Sequence, residues 1–348
     1  MKRSNLKELW NIADQKLRTK HLIIVCNTKS IANPEDNLGN FHMDTEYFSD
    51  DEFDQVISMF SSIGIETDIF TYEDDFFKYV IDNSPKDLLV YNSAQSGRGP
   101  GRKSLVPAFC NLHAIPCTGS NAYVVSLCRH KYHVNQLLAQ AGIQVPKTWL
   151  YSREWLSGRH PSRGTKLLIK PIYESASIGI DRSSIQFYNE NFNSLIHKRM
   201  EQQHQPMIAQ EFIAGYEVEV PIVRVDQAIY NLPPVGIAID EMNCMADNVL
   251  DYERIYFDHY RFYDFSEVMS DIAPALSDCA TTVAKILGME GLCRVDFRIK
   301  CDGSFFVTDV STNPHFIAHS SVNYSFKRAG LRPEDIAKTI LSAALVKG

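Results

Sequence analysis

Residues 293–313, CRVDFRIKCDGSFFVTDVSTN, decide the fold. In the first half, apolar and charged residues alternate. Cys293, Val295, Phe297 and Ile299 share one face of an extended chain, and Arg294, Asp296 and Arg298 share the other. Asp302 and Gly303 supply a turn, and FFVTDV follows as a second strand, so a hairpin is predicted. Such a hairpin sets Asp296 and Asp309 on neighbouring strands, where both can face one cavity. Two carboxylates with Ser311 or Asn313 close by form an all-oxygen donor set suited to Mg²⁺. On spacing alone, a solvent-facing edge hairpin accounts for the same residues equally well.

Two upstream stretches extend this picture. In residues 166–180, KLLIKPIYESASIGI, Lys170 leaves an apolar strand as a compact charge able to meet a phosphate. Ser175, Ala176, Ser177 and Gly179 are small enough for backbone N–H groups to approach the same anion. An ordinary turn needs such residues too, and neither a P-loop nor a G-x-G-x-x-G pattern is present. In residues 208–220, IAQEFIAGYEVEV, two strands flank a glycine-containing link. That pattern fits a hinge whose backbone receives a flat ligand, and equally a plain strand connection.

The first third alternates strands and helices. Strands are predicted at 21–26, 68–72, 87–91 and 115–117, with a helix over 53–63 carried by Val56, Ile57, Phe60 and Ile63 and stopped at Gly64. This βα order implies a parallel sheet. Residues 33–54 are acidic and turn-rich, and a solvated loop is expected there in preference to a lid. Further helices are predicted over 129–141 and 273–287, with a long aromatic and charged loop at 240–265. The chain divides into three lobes: 1–125, 126–215 and 216–348.

Composition narrows the function classes. A chain of 348 residues with 45% hydrophobic and 22% charged residues is a globular protein of two or three lobes. The net charge is −7 and no basic run occurs, which argues against a nucleic-acid partner. No apolar run reaches membrane-spanning length and the N-terminus lacks a signal-peptide core, so no membrane association is expected. Eight cysteines without C-x-x-C pairs suit reduced thiols in a cytoplasmic protein.

Taken in order, the segments at 91–109 (YNSAQSGRGPGRKSLVPAF), 115–146 (IPCTGSNAYVVSLCRHKYHVNQLLAQAGIQVP), 167–180, 210–220, 251–258 (DYERIYFD), 293–299 and 308–321 (TDVSTNPHFIAHSS) resemble the D-alanine–D-alanine ligase branch of the ATP-grasp superfamily. The resemblance runs from about residue 87 to the C-terminus. It implies an α/β protein of the ATP-grasp kind, an N-terminal parallel-sheet lobe plus two lobes clasping ATP. It also implies an ATP-dependent carboxylate–amine ligase acting on small amino-acid-like substrates through an acyl phosphate, with Mg²⁺, or Mn²⁺ in its place, and a homodimeric assembly. Two alternatives are the family's own reaction on D-alanine and a nucleotide-binding regulator that has lost ligation.

Residue roles follow from the same resemblance. Lys131 and Lys170 would bind ATP phosphates, Gln210 the adenine amino group, Glu211 and Ile213 the adenine through hinge backbone, and Glu217 the ribose. Asp296, Asp309 and Ser311 or Asn313 would hold the metal. Arg294 would stabilise the reacting centre, with Ser177 and Tyr256 closing over it. Ser320, beside His319, would hold the second substrate's carboxylate. Departures cluster near the substrates: Gln95 replaces a family histidine, His315 a glycine, Ser311 an asparagine, and Ile255 a lysine beside which Arg254 can supply charge. The family's G-G-x-S-x-E-x-x-V-S motif, whose glutamate helps bind the first amine, is not recognisable in residues 27–38.

Overall fold

The computed structural model describes residues 5–32, 37, 41–97, 99–153 and 160–347. Three sheets organise them. Strands β1 (His21–Val25), β2 (Thr67–Phe70) and β3 (Leu88–Asn92) form a parallel sheet in the order β2-β1-β3. The expected fourth strand at 115–117 is reduced to one parallel bridge between Val90 and Cys117. Strands β4 (Thr148–Tyr151), β5 (Lys166–Pro171), β6 (Ile185–Phe187) and β7 (Met207–Glu211) form an antiparallel sheet, β4-β7-β5-β6.

The third sheet is antiparallel and holds β8 (Tyr216–Val225), β9 (Ala228–Asn231), β10 (Val235–Ala238), β11 (Arg261–Asp264), β12 (Gly291–Ile299) and β13 (Phe305–Ser311). Its order is β11-β10-β8-β12-β13, with β9 paired on β8. The alternation read from the sequence sorts its two faces. Cys293, Val295, Phe297 and Ile299 join Val218, Val220 and Ile222 in one core cluster, which the helix Ala273–Leu287 covers. That helix buries Leu276, Ala280, Val283, Ala284 and Leu287 along one stripe, starts with a proline in its first turn, and ends at Gly288 in the left-handed region (φ +71). Burial of Leu276, Val283 and Leu287 contributes about 1.5–3 kcal/mol each, and each alanine methyl about 0.8 kcal/mol. The opposite face, with Glu217, Glu219, Arg294, Asp296 and Arg298, cannot join that core and lines a cleft instead.

The C-terminal helix Pro333–Val346 packs back on the first helix, Leu6–Leu17, where Trp10 Nε1 donates to Thr339 Oγ1 at 3.0 Å in a buried contact. The helix predicted at 129–141 is present as Lys131–Gln140, and a further helix, Ala122–Arg129, precedes it, the two meeting at His130. Within residues 33–54, positions 33–36 and 38–40 lie outside the described residues. From 41 onward the expected solvated loop is corrected, because Glu46 and Phe48 are buried against the cleft. The helix Asp50–Ser61 then starts with a capping box, Ser49 N–H donating to Glu52 at 2.7 Å and Glu52 N–H to Ser49 Oγ at 3.2 Å. Among the described residues no helix is long and apolar enough to cross a membrane.

Candidate active site

A cavity of about 480 Å³ opens between the two antiparallel sheets and is roofed by residues 45–48. At its centre Asp296 and Asp309 stand directly opposite each other in the β12–β13 register, with a bulge following Asp296. Lys131, the first residue of its helix, is ion-paired with Asp309. Lys170 is buried at the end of β5, and its Nζ donates to the Thr308 carbonyl at 3.2 Å. Burial pulls the Lys170 pKa from 10.5 to about 8, while Asp309 pulls it back up. Burial would raise the Asp309 carboxyl, but Lys131 and Lys170 outweigh that and hold it below its ordinary range.

Arg294 lies between two carboxylates. Its Nε and Nη2 fork onto Asp296 at 2.7 and 2.9 Å, and its Nη1 reaches Glu219 at 3.0 Å. Burial would lower the Arg294 pKa; Asp296 and Glu219 outweigh it, so the guanidinium stays charged. Ser311 is paired with Arg294 across the hairpin, and Asn313 donates through Nδ2 to the Asn92 carbonyl at 2.8 Å. Among the described residues no group of three His, Cys, Asp or Glu side chains could hold a metal. Two in-register carboxylates beside two lysines nevertheless fit Mg²⁺, which commonly takes one or two protein carboxylates and completes its shell with phosphate oxygens and water.

The far end of the cleft has the shape of a hinge. Gln210 is buried on β7, and its Nε2 donates to Thr148 Oγ1 at 3.1 Å. The N–H groups of Glu211 and Phe212 are spent on the carbonyls of Lys147 and Lys166, at 2.8 and 2.9 Å. The link then crosses the end of β12 so closely that a Cβ on Gly215 (φ +135) would stand 2.0 Å from the Ile299 carbonyl oxygen. Glu217 faces the cleft as the second residue of β8, paired with Arg298 Nη1 at 3.2 Å. Burial raises its pKa and Arg298 opposes that.

The loop after Lys170 turns through Ala176 and Ser177, both in the left-handed region (φ +49 and +51). Ser177 Oγ donates to the Leu250 carbonyl at 2.6 Å, and Tyr252 N–H donates to the Ile180 carbonyl at 2.9 Å. These bonds lay the segment 250–256 over the cleft. Tyr256 borders the cavity and stacks on His42 and Tyr252, each with centroids 5.6 Å away. Arg254 lends no free charge beside Ile255, because it is paired with Asp251 at 2.7 Å and Asp240 at 3.2 Å. Ile255 packs against the small core around Ile237.

At the remaining walls, Ser320 borders the cavity, but its hydroxyl caps the helix Ser321–Arg328, accepting from Asn323 N–H at 3.1 Å and donating to the Ile317 carbonyl at 2.8 Å. His319 Nδ1 lies 2.5 Å from Asp258. His315 lies against the Phe48 ring at 4.4 Å, with Nε2 buried and lacking a hydrogen-bond partner. Burial depresses its pKa to about 4, so it is neutral at pH 7. Gln95 donates through Nε2 to the Glu46 carbonyl at 2.9 Å, and its Oε1 is buried without a partner. The fifteen residues to which the resemblance gives a role, together with Gln95 and His315, therefore border this one cavity, whereas Gly179 and Arg254 do not.

Sequence reading passed over three groups here. Glu46 meets Arg102, Lys103 and Arg129 at 3.0–3.1 Å. Glu219 backs Arg294, and Arg298 backs Glu217. The last two were legible as members of the alternating polar face. Glu46 carried only its place three residues before the Ser49 cap.

A parallel-sheet lobe beside two antiparallel sheets that face each other across paired lysines and paired carboxylates defines an ATP-grasp enzyme. Residues 137–342 match the family model described as D-ala D-ala ligase C-terminus, and the chain belongs to that family of ATP-dependent carboxylate–amine ligases, which form C–N bonds using ATP and Mg²⁺. Among curated relatives, the D-alanine–D-alanine ligase of Bordetella petrii is 24% identical over 249 residues, 71% of this chain and 73% of that protein. That of Aromatoleum aromaticum is 26% identical over 261 residues, 72% and 77% of the two chains. The ATP complex of the Bacillus anthracis D-alanine–D-alanine ligase superposes with a TM-score of 0.67 at 16% identity, covering 94% of this chain and 97% of that one. The VanG D-Ala:D-Ser ligase of Enterococcus faecalis gives 0.68 at 17%, covering 94% and 99%. Retention of Lys170, Arg294, Asp296 and Asp309 in one cleft leaves a regulator without ligation unsupported.

Proposed function

We propose that this enzyme joins two small amino acids head to tail, with D-alanine–D-alanine ligation as the reading that its relatives' names support. The carrying observation is the cluster in which Arg294 stands beside the facing pair Asp296 and Asp309, with Lys131 on Asp309. Lys131 and Lys170 hold the nucleotide phosphates, and Gln210, the hinge at 211–213 and Glu217 hold the nucleoside. Asp296 and Asp309, with Ser311 or Asn313, would hold Mg²⁺, which neutralises phosphate charge during phosphoryl transfer. The carboxylate of the first amino acid attacks the γ-phosphoryl group and ADP departs. The amine of the second then displaces phosphate from the acyl phosphate, forming the amide. Arg294 donates to the oxygen that gains charge in both steps. Ser177 and Tyr256 belong to the closure that keeps water from the acyl phosphate.

A second reading, another small acid and amine, is favoured by one observation. Glu46 approaches the cleft near Gln95, but three cations already neutralise it, which leaves little charge for a substrate ammonium group. Phosphate release with Mg·ATP and D-alanine, together with the mass of the product, separates the two. Release that needs D-alanine and yields its dipeptide supports the first. Release that needs a different pair supports the second, and ATP binding without turnover on any pair overturns both.

A further inference from the structure

We infer that Arg298 is a positioning residue for the nucleotide, a side chain that ties both walls of the nucleoside end of the cleft together. It is buried on β12 on the same face as Arg294 and Asp296. Its Nε donates to the Ile213 carbonyl at 2.9 Å and its Nη1 to Glu217 Oε2 at 3.2 Å, so it grips the hinge on one side. Its Nη2 donates to the carbonyls of Ala246 and Asn248, at 3.3 and 3.2 Å, on the other. The guanidinium also lies 5.4 Å from the centre of the Phe212 ring, which Lys166 approaches at 4.8 Å.

Only a planar fork reaches all of these acceptors from one buried position; a lysine amine has three donors at a single point. Two consequences follow for a ligand. With the Ile213 carbonyl committed to Arg298, the hinge presents that residue to an adenine ring through its N–H. With Oε2 of Glu217 pinned, the carboxylate is fixed in one rotamer and offers its other oxygen to the ribose hydroxyls. Arg298 thus acts through Ile213 and Glu217 and sets discrimination for the ribose, not the rate of the chemical step. This role rests on the nucleotide-cleft reading above.

Titration calorimetry of the full-length protein with Mg·ATP and Mg·2′-deoxy-ATP tests it, alongside steady-state rates. Arg298→Met is expected to weaken ATP binding about tenfold or more, the scale of lost hydrogen bonds to a charged donor. The preference for ATP over the deoxynucleotide should shrink. The KM for ATP should rise while the KM for the amino acids and kcat stay near wild type. Arg298→Lys, which keeps the charge and protects against misfolding, should lose discrimination in part. Wild-type discrimination in either variant overturns the proposal, as does an equal loss of affinity for nucleotides and amino acids. Wild-type protein that binds no Mg·ATP would overturn the cleft itself, whereas unchanged ATP binding by Arg298→Met overturns the role of Arg298 alone.

Discussion

Glu46, on the segment that enters the helix Asp50–Ser61, accepts the backbone N–H of Ser175 at 2.6 Å, in the loop that follows Lys170. A residue of the N-terminal part thereby closes on the phosphate end of the cleft. Arg129 strengthens the join, because its Nη1 reaches Glu46 at 3.1 Å and Ser175 Oγ at 2.7 Å. Removing the carboxylate takes the carboxylate partner from Lys103 and leaves the buried Arg102 and Arg129 with Glu174 alone. Glu46→Ala is therefore expected to cost about 3–5 kcal/mol, the range for breaking a buried ion pair from one side. Chemical denaturation measures it, and a loss below about 1 kcal/mol, the surface-pair range, would show that the cluster is hydrated instead.

Lys103 makes the same cluster pH-sensitive. Burial lowers its pKa from 10.5 to about 8, aided by Arg129 and Arg102 and opposed by Glu46. Between those two values the unfolded chain keeps a proton that the folded protein has released. The contribution is complete above about 10.5 and is lost as pH falls through about 8, so stability from this group rises with pH across the window. Lys103→Met should flatten that rise. Denaturation midpoints of both proteins at about pH 7.5, 9 and 10.5 test the slope, and parallel curves would mean that Lys103 does not titrate there.

Arg294 forks onto Asp296 and touches Glu219, so it is fixed before any substrate arrives. A fixed donor costs little reorganisation when charge develops on the reacting oxygen. Arg294→Lys retains charge and loses the fork. It should lower kcat by about 10²–10³, the range for loss of one such donor, with the KM for ATP unchanged. Single-turnover rates at saturating ATP check this, and a variant that loses ATP affinity instead would place Arg294 on the nucleotide.

How much of this was legible in the sequence depended on where each residue finds its partners. Asp296 and Asp309 could be set on neighbouring strands from text alone, because a two-residue period and one turn predict a hairpin, but the bulge after Asp296 that brings them opposite each other left no mark in the text. The helix Ala273–Leu287 was readable for the same local reason, its apolar spacing and the glycine that stops it. Strands β9 and β10 were not. Val235, Gly236, Ile237 and Ala238 are all buried, so no alternation shows, and Gly236 is small because a Cβ there would meet the Tyr263 ring at 2.1 Å. The Glu46 cluster was hidden differently. Its partners lie 56 and 83 residues away along the chain, and no periodicity announces a contact of that range.

His315 offers the most direct test of how substrate is chosen. It stands where the resembled family has glycine, borders the cavity, and rests on Phe48 at 4.4 Å. Neutral at pH 7 and with its Nε2 unpartnered, the ring fills space at the wall more than it supplies charge. His315→Gly removes that volume. Losing the ring contact should cost about 0.5–1.5 kcal/mol of stability. The cleft should then shift in preference toward bulkier amino acids relative to alanine by about tenfold, the scale at which a few methylenes are discriminated. Rates of phosphate release across alanine, serine, valine and leucine of both configurations give that ratio directly. An unchanged order of preference would mean that the imidazole faces away from the bound amino acid, and the choice of substrate would pass to Gln95 and the Glu46 cluster opposite.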